Sequence, residues 1–248
     1  MNKNLRNNVA GYILYTIVSS IVPFIVMPIL TRYLSPEQYG MISIFNVYTS
    51  IIASIIGLSS LTAFIKIYYN DKFENSSYLS IAIIISLLTA LMIVFLIYIV
   101  GSYLVTLYEV KLWWLYIGIV IVFFESIISI QTILFRMESK VFKFGLFELS
   151  RILLRSIVTV FFVTSLSFGE DGPVLSAALS SSVFIMISIY IFHKSKLISF
   201  SPNFRYAKHA LFFGIPLTPH VLFGALSSTI DKITIASMVS NTELGIYA

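Results

Sequence analysis

Long uncharged, mostly apolar runs alternate with short charged clusters along the chain. Positions 7–31, 38–65 and 75–108 carry no charge at all. A helix rises about 1.5 Å per residue, so each of these runs can cross a hydrocarbon core about 30 Å thick. With the charges as punctuation, the pattern predicts seven spans, at 9–31, 36–65, 78–106, 112–135, 148–168, 173–192 and 210–236. Barrel strands need only about 10 residues, and backbone in lipid must satisfy its own hydrogen bonds. The predicted fold is an all-α integral membrane bundle of about seven transmembrane helices.

Between the first two spans the chain reads LTRYLSPEQYG, Leu30 to Gly40. Ser35 is placed as an N-cap, Pro36 at the first helical position, and Gln38 three residues on to close a capping box. Gly40 allows a close helix contact. The end of the chain, MVSNTELGIYA, echoes this pattern at an offset of 205: Ser35 falls on Ser240, Gln38 on Glu243 and Gly40 on Gly245. The same shift carries Lys3 onto Lys208. Six spans then make one unit, and an even number implies two parallel repeats about an axis normal to the membrane. On this reading residues 1–205 form a first six-helix lobe. Residues 206–248 supply the first helix of a second, and the chain is part of a protein about twice as long. A complete seven-span protein is the alternative.

Composition agrees with the spans. Of the 248 residues, 58% are hydrophobic and 11% charged, against about 25% charged in soluble domains. The net charge of +5 raises nucleic acid as a partner, but no basic cluster interleaves with aromatics on a soluble segment, so none is expected. Only Arg32, Lys111 and Lys232 of the 16 Lys and Arg residues fall opposite the N-terminal side. That bias places the N-terminus in the cytoplasm. The first apolar run is too long for a cleaved leader and reads as an uncleaved span. There is no cysteine, hence no disulfide or thiolate site. No metal or cofactor is expected: His193, His209 and His220 are not spaced as ligands.

A few residues interrupt the apolar pattern. Glu125 lies within two residues of the middle of its span, where a carboxylate is costly and faces the interior or a wet cavity. It reads as a cavity acid or as a structural carboxyl pairing two helices. Arg151 and Arg155 share a helix face, with Glu148 three residues before Arg151. Only 14 uncharged residues separate Arg155 from Glu170, so Arg155 faces a cavity or snorkels to the headgroups. Asp231, next to Lys232, is a candidate coupling-cation ligand or half of an interface pair. Arg32 sits at the opposite mouth as an interface anchor or cavity cation. Pro23 and Pro28, with Pro216 and Pro219, are bend points in the leading helix of each unit. Residues 136–151 alternate basic and apolar positions and are expected along the inner membrane surface.

The segments PILTRYLSPEQYGMISIFNVYTSIIASIIGLSSLTAFIKIYY and IPLTPHVLFGALSSTIDKITIASMVSNTELGIYA resemble the bacterial polysaccharide flippases. These are the O-antigen and capsule repeat-unit translocases, within the superfamily that also holds multidrug antiporters and the lipid II flippase. The resemblance implies two lobes around a central cavity in the bacterial inner membrane. It also implies a lipid-linked oligosaccharide substrate carried on undecaprenyl pyrophosphate, alternating access and coupling to a cation gradient. A polysaccharide polymerase and a chain-length regulator are the implied protein partners. Arginines suit the pyrophosphate because they offer bidentate contacts. A drug or metabolite antiporter of the same superfamily, a membrane-embedded polymerase or glycosyltransferase, and a non-catalytic assembly protein remain as competing readings. The external loops, around 32–36, 107–111 and 169–172, are too short for the catalytic residues of the enzyme.

Overall fold

The computed structural model describes residues 3–70, 73–198 and 203–247, with side chains from Gly11 onward. Lys72 and the side chains of Lys3 and Arg6, counted in the charge bias, lie outside the described residues. The described residues form helices and turns with no strand. The chain is an all-α, multi-pass membrane protein.

The helices are α1 (Lys3–Tyr33), α2 (Pro36–Ile55), α3 (Ser60–Ile67), α4 (Asn75–Tyr108), α5 (Leu112–Met137), α6 (Val141–Thr164), α7 (Asp171–Lys194), α8 (Phe204–Ser227), α9 (Ile230–Met238) and α10 (Asn241–Tyr247). Six segments are long and apolar enough to cross a membrane: α1, α2 with α3, α4, α5, α7 and α8. The expected fifth span, α6, falls short because Lys143, Glu148, Arg151 and Arg155 lie within its 24 residues. It nevertheless packs between α1 and α7 and connects the same two ends of the bundle as its neighbours do. At one end the turns before α2, α5 and α7 meet through Gln38, Lys111 and Glu170. At the other, Tyr69 donates to the Met137 carbonyl and Tyr206 accepts from the Glu74 amide. The second end holds Lys66, Arg136, Lys140 and Lys194, and is the lysine-rich one.

Two expectations need correction. The second span is not one helix. Gly57, Leu58 and Ser59 all take positive φ (77°, 44° and 55°) and divide it into α2, a short 3₁₀ turn and α3. Residues 136–151 do not lie along a membrane surface either. Ser139, at φ 56°, closes α5 with the paired bonds of a Schellman turn, Lys140 N to Phe135 O and Ser139 N to Arg136 O. The chain then turns directly into α6, because Phe144 and Phe147 are buried in the core. The proline pairs expected as bend points sit inside continuous helices. α1 runs through Pro23 and Pro28 and α8 through Pro216 and Pro219, while the break in the seventh span comes after Ser227.

Small residues set the close contacts between helices. Thr159 of α6 meets Ser176 of α7 side chain to side chain. Gly118 of α5 lies under Tyr48 and Phe45 of α2, and Tyr48 donates to the Leu115 carbonyl at 2.6 Å. The predicted capping box is present: Gln38 N donates to Ser35 Oγ, and Ser35 N donates to Gln38 Oε1. The echo of that box also caps, with Glu243 N donating to Ser240 Oγ at 3.2 Å. The two helices they start cross each other at glycine. A side chain at Gly40 would overlap the Asn241 carbonyl, and one at Gly245 would overlap the Pro36 carbonyl. Under the 205-residue shift Pro36 becomes Asn241 and Gly40 becomes Gly245, so the contact is reciprocal.

Candidate functional site

Helices α2, α5, α6 and α8 enclose a cleft of about 560 Å³ at membrane depth. Its polar lining includes Asn46, Thr49, Ser54, Glu125, Ser126 and Arg155. Several hydroxyls donate back along their own helices: Thr49 to Phe45 O at 3.0 Å, Ser54 to Ile51 O at 2.6 Å and Ser126 to Phe123 O at 2.7 Å. Such bonds use each hydroxyl proton locally. The wall therefore presents oxygen lone pairs, with Glu125 and Arg155 as its charged groups.

Those charges belong to a four-residue cluster on two helices. Arg151 donates through Nη1 to Glu125 Oε2 at 2.7 Å and through Nη2 to Glu148 Oε2 at 2.9 Å. Its Nε is buried without a partner. One arginine thus bridges two carboxylates, joining α5 to α6. Arg155, one turn further along α6, forms neither an ion pair nor a side-chain hydrogen bond among the described residues. It stands between the cleft and a second one of about 390 Å³, lined by α1, α2, α6 and α7. Two carboxylates and two guanidiniums balance in number. Because Arg151 engages both acids, Arg155 is the cation left open to the cleft.

The break in the second span stands beside the same cleft. Gly57 N donates to Thr89 Oγ1 of α4 at 2.8 Å, replacing a lost helix bond. Interrupted backbone at membrane depth is tolerated where protein satisfies it. Helix α8 fits against the break: a side chain at Gly214 would overlap the Leu58 carbonyl, and Ser59 Oγ lies 3.4 Å from Thr218 Oγ1. The pattern of the "Polysaccharide biosynthesis protein" family matches residues 5–248. The chain belongs to that family. A protein of the Lsg locus of Haemophilus influenzae is 24% identical to it over 250 residues, covering 96% of this chain. The chain spans 58% of the length of that curated relative. No solved structure matches it significantly.

For this family member, sequence reasoning found Glu125, Arg151 and Arg155, and the structure brings all three together. It does not bring Arg32 or Asp231 to them. Arg32 is exposed in the last turn of α1 and lines neither cleft. Asp231 is exposed at the start of α9, where it accepts from Tyr247 Oη at 2.6 Å and from the Lys232 amide at 2.9 Å. Of the four prolines, Pro23 borders the second cleft and Pro216 a shallow surface hollow on α8. His209 pairs with Tyr78 Oη at 2.9 Å within an aromatic cluster that includes Phe73 and Tyr206.

Sequence reasoning missed two features. The break at Gly57 had a signal, since GLSS puts a glycine and two serines inside an apolar run. The knot at the lysine-poor end had none. There Lys111 Nζ meets Glu170 Oε1 at 2.9 Å and Asp171 Oδ2 at 2.7 Å, Gln38 Nε2 donates to Glu170 Oε2 at 2.6 Å, and Trp114 Nε1 donates to Asp171 Oδ1 at 2.8 Å. Partial burial pushes the Lys111 ammonium down, but its bonds to Asp171 and Glu170 outweigh that and hold it above its ordinary value. For Glu170, burial pushes up and Lys111 with its other donors pulls further down, leaving it below the carboxylate range.

Proposed function

We propose that this chain forms one lobe, with the leading helix of a second, of a flippase for lipid-linked oligosaccharides in the bacterial inner membrane. The observation that carries the reading is Arg155, a cation without an ion-pair partner among the described residues, on the wall of a hydroxyl-lined cleft inside a multi-pass bundle. A glycan carried on a polyprenyl pyrophosphate needs such a place. Its phosphates seek a guanidinium, its hydroxyls seek neutral acceptors, and its tail stays in lipid. Family membership supports the same substrate class.

In this reading residues 1–205 are the first lobe and 206–248 open the second. The reciprocal crossing at Gly40 and Gly245 supports parallel repeats around a two-fold axis. The N-terminus is cytoplasmic, on the lysine-rich side. The cluster of Glu125, Arg151 and Glu148 fixes the field around Arg155, and coupling to a cation gradient drives the cycle. Because Arg151 occupies Glu125, the cleft offers an anion site more readily than a site for a cationic drug, which sets the antiporter reading second.

The test is Arg155→Ala in the protein expressed in its host, followed by measurement of surface polysaccharide and of lipid-linked repeat units on each leaflet. Hydrogen bonds to charged groups are worth about 1.5–3 kcal/mol, so the rate falls by about tenfold or more while the protein still inserts. Intact single repeat units collect on the cytoplasmic leaflet, and Arg155→Lys retains more activity than Arg155→Ala. Unchanged export in Arg155→Ala would sink the assignment.

A further inference from the structure

A separate pocket, of about 650 Å³, lies at the lysine-rich end between α5, α6 and α7. Its lining shares no residue with the cleft around Arg155. Three features describe it. The mouth carries Lys140, Lys143 and Lys194. Glu138 pairs with Lys140 at 2.6 Å, while Lys143 and Lys194 are exposed and form no ion pair among the described residues. Two positive charges are thus left facing the opening. Deeper inside, Gln131 is 3% exposed, and its Oε1 is buried without a hydrogen-bond partner. It lies seven residues before Glu138, about 10 Å further into the membrane. The remaining wall is mostly apolar, with Ser150 and Ser195 as its hydroxyls, and the outer rim is formed by Leu146, Ile187 and Tyr190, all exposed.

We infer that this pocket binds an anionic phospholipid of the surrounding bilayer. The chemistry changes with depth as it does in such a lipid. The phosphodiester belongs at Lys143 and Lys194, since basic pockets between transmembrane helices hold anionic headgroups. The ester region reaches Gln131. The two ends of an amide exchange by a half-turn of the last torsion, so the buried end can offer an N–H to an ester oxygen. The acyl chains leave over Leu146 and Ile187 into the bilayer. A soluble anion would meet the lysines but leave the apolar wall and Gln131 unused. The site goes beyond the proposed transport function and does not depend on it.

The test uses the protein reconstituted in phosphatidylcholine vesicles containing a trace of spin-labelled phosphatidylglycerol or spin-labelled phosphatidylcholine. The motionally restricted fraction is read by electron paramagnetic resonance. Wild type restricts phosphatidylglycerol preferentially. Lys143→Gln and Lys194→Gln each reduce that preference about fivefold, the two Arg replacements preserve it, and Gln131→Leu lowers the restricted fraction of both lipids, whose ester regions are identical, while leaving the preference in place. Both lysines are exposed, so elution profile and helicity stay at wild-type values. Equal restriction of the two lipids, or a preference unchanged in the double Gln variant, overturns the inference. So does full competition by soluble glycerol phosphate, which would mark a free-phosphate site. Displacement by polyprenyl pyrophosphate, but not by the same amount of unlabelled phosphatidylglycerol, would assign the pocket to the transported lipid and also overturn it.

Discussion

Arg151 and Arg155 lie one turn apart on α6 and differ in what surrounds them. Arg151 is held by Glu125 and Glu148, so its charge serves the structure. Arg155 has no such partner and faces the cleft. Substitutions should separate these roles. Glu125→Gln keeps the shape of the carboxylate but removes its charge from Arg151. Both side chains are partly exposed, at 31% and 23%, so the stability loss is modest, about 1 kcal/mol. Thermal unfolding in detergent reads that loss, and Glu125→Gln combined with Arg151→Met should lose less than the sum of the two single variants, since Arg151→Met alone also frees Glu148. A loss as large in the double variant as in the sum of the singles would show that the two residues do not act as a pair. Sequence alone found these residues because charge in an apolar run is conspicuous. It could not divide their roles, since that depends on which carboxylate of a neighbouring helix lies opposite.

Among the elements, the broken second span was the hardest to read. A run of 28 uncharged residues predicts one helix, and the short GLSS segment inside it does not by itself place an interruption. The interruption comes from backbone conformation. Gly57 takes φ 77°, its amide finds Thr89, and α8 closes over the break at Gly214. Gly57→Ala forces a β-carbon into the left-handed region, costing about 1–2 kcal/mol, and places it 2.5 Å from Ser86 Oγ. A lower unfolding temperature with normal membrane insertion is the expected result, and unchanged stability would show that the turn relaxes. The knot at the lysine-poor end joins α2, α5 and α7 by charge, and so responds to pH. Glu170 titrates lower when folded than unfolded. Its contribution is therefore present above the unfolded value of about 4.5 and is lost as pH falls through the folded one. Lys111 is raised, so its share is complete below the unfolded value and lost as pH rises through the folded one. Unfolding temperatures measured from neutral pH down to about pH 3 should fall for wild type and fall less for Glu170→Gln; parallel curves would remove the knot from the stability of the bundle.

At the scale of the molecule, the reciprocal glycine crossing can be tested as the closure of one end of the cleft. Gly40 of α2 rests on the Asn241 carbonyl and Gly245 of α10 on the Pro36 carbonyl, so the two helices touch backbone to backbone at the lysine-poor end. A contact that maps onto itself under the 205-residue shift is what a two-fold axis would produce, and it opens when the two helices separate. The shared capping box and glycine were visible in sequence. That the glycines meet was not, because the same spacing would suit two helices far apart. The absence of cysteine makes the closure directly measurable. A single thiol placed in the cleft by Ser50→Cys should react slowly with a membrane-impermeant maleimide added from the lysine-poor side. Gly40→Val pushes α2 off α10 and should raise that rate severalfold, while a thiol at Ser165, exposed at the end of α6 on the lysine-poor side, reacts equally in both backgrounds. If the Ser50→Cys rate does not change, closure lies elsewhere along the path and the crossing is only packing.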